Sequence, residues 1–172
     1  MRFEVFTFLL FYLFTFKIMR RLIYLCMLLM CSISMSAQSA DKLYDEGKKL
    51  YDAEQYDKAV PMLQAAAEKG HKKAQYRLGR CFDKGYGVKE DNKKAFEWYM
   101  KAAKQDYAKG MYQVGRCYLK GKGVAANEDE ARKWLKRAIN DPKHGDEILK
   151  DLREAKSDGE EAARILTLLG KK

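Results

Sequence analysis

A chain of 172 residues that is 47% hydrophobic and holds only two prolines has room for one modest helical domain with a true core, and wholesale disorder is excluded. Its formal charge is +10, from 34 basic and 24 acidic residues. A surplus of that size speeds encounter with anionic partners of any kind without choosing among them.

In chain order, residues 1–37 read as an address. Met19-Arg20-Arg21 precede "LIYLCMLLMCSI", an apolar run of twelve, and then "SMSAQSADK". A basic stretch, a short apolar stretch and a small-residue exit make a secretory signal peptide. The run falls short of the ~20 apolar residues that span a bilayer. A second apolar run, "FTFLLFYLFTF", lies upstream, which points to Met19 as the start and to residues 1–18 as a mis-called extension. The expectation is cleavage after Ser36 or Ala37, both of which fit, and export to the periplasm or the exterior. Left uncleaved, the segment would hold the protein at the membrane. Without these residues 30 basic and 23 acidic remain, a net of +7.

Residues 41–70 predict a first pair of helices. Ala59, Met62, Leu63 and Ala66 fall at i, i+3, i+4 and i+7, one apolar stripe on a helix. Gly47 precedes Ala59 by twelve residues, and Pro61 falls inside the second helix, where it frees a carbonyl near Asp57.

Residues 71–107 and 108–141 say nearly the same thing twice. At an offset of 36, Tyr76 falls on Tyr112, Gly79 on Gly115, Arg80 on Arg116 and Cys81 on Cys117. Gly85, Gly87 and Val88 fall on Gly121, Gly123 and Val124, and Ala95, Trp98 and Ala102 on Ala131, Trp134 and Ala138. A period between about 20 and 50 residues signals a solenoid, whose units bury their apolar faces by stacking. In each unit the second helix carries the stripe, with Trp98 and Trp134 read as core. Asp91 caps one such helix, and Asn127 with Glu130 has the spacing of a capping box on the other. Gly79 and Gly115 cost helix stability, about 1 kcal/mol each against alanine, so a partner helix should pass too close there for a β-carbon. The glycines of "KGYGV" and "KGKGV" supply positive φ for the turn between helices.

Residues 142–172 lack the glycine loop and predict two capping helices. One is marked by Ile148, Leu152 and Ala155, the other by Ala162, Ile165, Leu166 and Leu169, with Asp158 as N-cap and Gly170 as stop. The resulting fold class is all-α: a solenoid of helix-turn-helix repeats with C-terminal capping helices.

The string Ala74, Tyr76, Leu78-Gly79, Gly85, Gly87-Val88, Lys94-Ala95, Trp98-Tyr99, Lys101-Ala102-Ala103 resembles the Sel-1-like repeat, and 108–141 repeats it. Gly47, Leu50, Tyr56, Ala59, Leu63 and Ala66 are similar in spacing to the related tetratricopeptide repeat. The resemblance implies a right-handed α/α superhelix that serves as adaptor or scaffold for other proteins, with the first helix of each pair lining the concave face. One exported, cysteine-rich branch is credited with penicillin-binding or β-lactamase-like activity; Cys81 and Cys117 sit elsewhere in the repeat, and its paired pattern is missing.

The residues themselves point away from catalysis. Ser39-Ala40-Asp41-Lys42 fits the S-x-x-K of penicillin-recognising enzymes, but no K-T-G follows. His71 and His144 lack ligand-spaced companions, so neither a metal nor a cofactor is expected. Equivalent helices of stacked repeats lie about 8–10 Å apart, beyond the ~7 Å reach of a disulfide, so Cys81 and Cys117 should be free, buried thiols. Nucleic-acid binding through the +7 surface is a further alternative, opposed by export. The remaining surface is the exposed side of the first helices: Tyr44, Lys48 and Tyr51; Lys73, Tyr76 and Arg80; Lys109, Tyr112 and Arg116. Tyrosine and arginine are enriched at binding hot spots, and this set is the candidate site for an acidic protein or peptide.

Overall fold

The computed structural model describes residues 40–154 and 159–170; the segment read as a signal peptide lies outside the described residues, as do Ala155 and Asp158. The described residues form eight α-helices and no strand. Residues 40–52 make α1, followed by α2 (Tyr56–Glu68), α3 (Lys72–Lys84), α4 (Asn92–Lys104), α5 (Ala108–Lys120) and α6 (Glu128–Ile139). Two shorter helices, α7 (Gly145–Glu154) and α8 (Glu160–Leu168), complete the chain. From α2 to α6 each helix packs closely on the next in sequence, and α7 meets α6 and α8 more loosely. The architecture is an α-solenoid of helix pairs.

Small residues set how closely the pairs pack. A β-carbon on Gly79 would stand 2.6 Å from the Tyr99 ring, one on Gly115 2.6 Å from Leu135 Cγ, and one on Gly47 3.1 Å from Leu63. Each glycine of a first helix thus receives the central stripe residue of its second helix. That residue is fully buried in all three pairs: Leu63, Tyr99 and Leu135. The alanines beside it, Ala59 and Ala66, Ala95 and Ala102, Ala131 and Ala138, are buried too.

Trp98 and Trp134, expected in the core, are only half-buried. At i+3 they fall on the stripe's edge, where Lys101 Nζ sits 3.7 Å from the Trp98 ring centre and the Arg137 guanidinium 4.7 Å from that of Trp134. Such cation–π contacts suit a ring with one wet face.

The turns repeat atom for atom. Gly85 and Gly121 end α3 and α5 at φ 70° and 69°, in the left-handed region that favours glycine. Asp91 Oδ1 accepts the Lys94 N–H and Asn127 Oδ1 the Glu130 N–H, both at 3.0 Å. The reciprocal arm of the capping box is not made. The Asn127 N–H donates to the Tyr118 carbonyl, as that of Asp91 donates to Phe82, and Glu130 turns to Lys133 at 3.3 Å.

At the far end Ile148 and Leu152 of α7, Ala162, Ile165 and Leu166 of α8, and Leu169 at its C-cap are buried. Gly159, not Asp158, stands at the N-cap of α8 and gives no side-chain bond; Gly170 follows with φ 66°.

Candidate protein-binding face

Helices α1, α3 and α5 carry the nine residues that the sequence singles out, and the structure sorts them into three groups. Tyr44 and Tyr51 belong to the core, at 8% and 7% exposure. Tyr44 stacks on His71 with ring centres 4.2 Å apart. Tyr51 meets Tyr56 and Tyr86 edge-on at 5.2 and 6.2 Å, and Tyr56 and Tyr86 stack at 4.5 Å. These rings join the first repeat to the second and offer little to a partner.

A second group is tied up in ion pairs. Lys48 holds Asp52 at 2.7 Å and Lys109 holds Glu147 at 3.0 Å. Arg116 Nε and Nη2 donate to the two oxygens of Glu161 at 2.5 and 3.0 Å, and Lys120 Nζ lies 2.5 Å from the same carboxylate. Burial alone would raise the Glu161 carboxyl, but the hydrogen bonds from Arg116 and Lys120 outweigh it and leave it below the usual carboxylate range.

The third group is open. Lys73 is exposed and Tyr76 and Tyr112 half-buried; Tyr76 packs edge-on against Tyr107 at 5.5 Å. Arg80 is half-exposed, its guanidinium 5.9 Å from the Tyr51 ring centre. Among the described residues it has no carboxylate partner. Among the described residues Arg80 and Lys73 are therefore cations of this face without a carboxylate, whereas Arg116 is neutralised by Glu161.

Sequence reasoning missed two things here. Arg77, one turn from Arg80, pairs with Asp52 at 3.2 Å and donates to the Tyr44 hydroxyl at 3.4 Å. It braces α1 against α3. Glu147, Asp151 and Glu161 come from the capping helices to line a cavity of about 420 Å³ with Tyr76, Lys109, Tyr112 and Arg116. Ile148, Leu152 and Ala162 supply its apolar wall. In the sequence Glu160-Glu161 carried only the signal of acidic residues in a helix's first turn, which suits the helix dipole and names no distant partner.

The groups with catalytic potential are occupied structurally. His71 caps α3, its Nδ1 accepting the Ala74 N–H at 3.1 Å while Nε2 lies 3.2 Å from Asp41. His144 sits 3.2 Å from Asp141, whose Oδ1 also accepts two backbone N–H groups leading into α7. Cys81 and Cys117 are free and buried, as the repeat geometry requires, and burial pushes each thiol up to about 11. A thiol so far from its thiolate is a poor nucleophile at neutral pH. Of the S-x-x-K motif, Ser39 lies outside the described residues and Lys42 is exposed on α1. Among the described residues no group of His, Cys, Asp and Glu gathers to hold a metal ion, and no helix is long and apolar enough to cross a membrane.

The Sel1 repeat family pattern matches residues 38–71, 72–107 and 108–141. The first unit, which resembled a tetratricopeptide repeat because its loop is four residues shorter, is thus matched as a third Sel1 repeat. Among similar solved structures is a Sel1 repeat protein from Oxalobacter formigenes, 29% identical with a TM-score of 0.57, covering 73% of this chain and 54% of that one. A protective antigen of uropathogenic Escherichia coli strains with an SLR fold is 29% identical with a TM-score of 0.59, over 76% of this chain and 29% of its own. Helicobacter pylori cysteine rich protein B shares the fold at 24% identity and a TM-score of 0.52, covering 68% of this chain and 94% of that one. The chain spans about half the length of the first of these proteins and under a third of the second.

Proposed function

The chain belongs to the Sel1 repeat family, and from that premise we propose that it is an exported, non-enzymatic scaffold that binds an acidic protein or peptide on the face formed by α3 and α5. The observation that carries this reading is Arg80: a partly exposed guanidinium on the row of first helices, set among tyrosines and without a carboxylate partner among the described residues. An arginine in an aromatic setting is the kind of group on which binding energy concentrates. Tyr76 lies beside it on α3, Tyr112 offers apolar area beside Arg116 on α5, and Lys73 adds exposed charge on α3. Export follows from the basic and apolar run beginning at Met19 and matches a basic scaffold that works outside the nucleic-acid compartment.

The test is capture from an envelope extract. Arg80→Ala with Arg116→Ala should abolish retention of the partner while the helical circular-dichroism signal persists, since removing one partner of a desolvated charge pair costs binding about 2–5 kcal/mol. Lys93→Ala with Lys133→Ala, exposed on the second helices, should change little. Loss in the lysine pair with retention in the arginine pair would move the site to the outer face.

A further inference from the structure

The binding surface is built twice, and among the described residues only the α3 copy leaves its arginine without a carboxylate. Tyr76, Arg80 and Lys84 on α3 stand where Tyr112, Arg116 and Lys120 stand on α5, thirty-six residues later. On the α5 copy a carboxylate is already seated: Glu161, bound by two guanidinium nitrogens and by the Lys120 ammonium. It arrives from the first turn of α8, forty-five residues beyond Arg116. On the α3 copy Lys84 finds only its neighbour Asp83, at 3.8 Å, and Arg80 finds no acid among the described residues.

We infer, resting on the function proposed above, that Glu161 is an internal stand-in for a partner's carboxylate: an acidic segment takes the Arg80–Lys84 copy freely and the Arg116–Lys120 copy only by displacing Glu161. A fork of two parallel N–H···O bonds is the geometry in which arginine recognises any carboxylate, so Glu161 shows what the α3 copy is shaped to hold. The exchange needs no unfolding. Glu161 and Arg116 side chains are 28% and 32% exposed, so solvent and ligand reach them. Helix α8 is held independently by Ala162, Ile165, Leu166 and Leu169 in the core, so the carboxylate can swing out while the helix stays. Being tethered, Glu161 competes at an effective concentration in the millimolar range, which weakens a bivalent acidic ligand without excluding it.

The experiment is fluorescence anisotropy of a labelled oligoglutamate peptide titrated with the full chain at low salt, where charge pairing is least screened. Arg80→Ala should weaken binding. Glu161→Gln, which keeps a hydrogen bond to Arg116 and so preserves the fold, should tighten it roughly tenfold, equivalent to about 1.4 kcal/mol. In the Arg80→Ala background, Glu161→Gln should restore part of the lost affinity through Arg116. Glu160→Gln is the control: an exposed neighbour without an ion pair among the described residues, it changes net charge by the same amount and should leave affinity near wild type. Equal tightening by both glutamine variants would mean net charge alone, and would overturn the inference. Weakening by Arg80→Ala with no effect of Glu161→Gln would also overturn it while leaving the proposed function standing. No binding by any variant would sink both.

Discussion

Tyr86 and Lys122 occupy the same place in two loops thirty-six residues apart, yet they close their junctions by different physics. In the first junction Tyr86 stacks on Tyr56 and meets Tyr51. In the second, Lys122 pairs with Asp83 at 2.6 Å, and Asp83 stands on α3 where Tyr51 stands on α1, counted from Gly79 and Gly47. The backbone beneath is the same. A β-carbon on Gly87 would meet the Tyr56 backbone at 2.6 Å, and one on Gly123 the Asn92 carbonyl oxygen closer still. What these two units share is therefore the close approach of loop to helix start, while the side chains across it differ in kind. The two arginines obey the same rule: one skeleton, one open rung and one closed.

The sharpest way to break this comparison is to attack the shared skeleton. Tyr99→Ala and Leu135→Ala remove equivalent buried residues and should cost about 3–5 and 2–5 kcal/mol respectively in denaturant melts. Trp98→Ala and Trp134→Ala should cost less, because each ring is already partly exposed. Equal or larger losses for the tryptophans would mean the stripe is centred elsewhere.

Gly123→Ala and Gly87→Ala should follow at about 2–4 kcal/mol each, combining the roughly 1–2 kcal/mol of a left-handed alanine with a clash against backbone that cannot yield. A tolerated substitution at one site would show that the two loops do not approach their helices alike. The junctions themselves should then part company. Lys122→Met should destabilise by about 1 kcal/mol at low salt and by less as ionic strength rises toward 1 M, where the Debye length falls to about 3 Å. Tyr86→Ala should cost stability at every salt concentration, since ring packing is not screened.

The smallest expected effect concerns pH. Glu161 titrates lower in the folded protein than the ordinary glutamate value of about 4.3. A depressed carboxylate contributes stability that is present above its unfolded value and lost as pH falls through the folded one. Wild type should thus exceed Glu161→Gln in thermal midpoint at neutral pH, and the gap should close as pH drops below about 4. A gap that persisted in acid would assign the difference to something other than the ion pair.

Much of this was legible in the sequence because backbone demands leave few choices. Gly79, Gly85, Gly87 and their copies mark where a β-carbon does not fit or where φ is positive, and Ala95 and Ala102 mark a close helix contact. Their spacing gave the repeat, the turns and the free cysteines. The tryptophans misled because a 3.6-residue stripe has edges as well as a centre, and hydrophobicity does not say which position is which. Arg80 and Arg116 read alike because their difference lies in residue 161, beyond the period, in a helix that no longer follows the repeat. Tyr44 and Tyr51 looked available on α1 for the converse reason: the rings that cover them, His71, Tyr56 and Tyr86, belong to other segments.

The claim that a partner sits on the α3–α5 face is tested most directly by photo-crosslinking from single positions. A benzophenone amino acid placed at Lys73, exposed on α3, or at Lys133, exposed on α6, would be irradiated in an envelope extract and its adducts resolved by mass. The account predicts a discrete partner adduct from position 73 and none from position 133. An adduct from position 133 alone would place the binding surface on the second helices and contradict it.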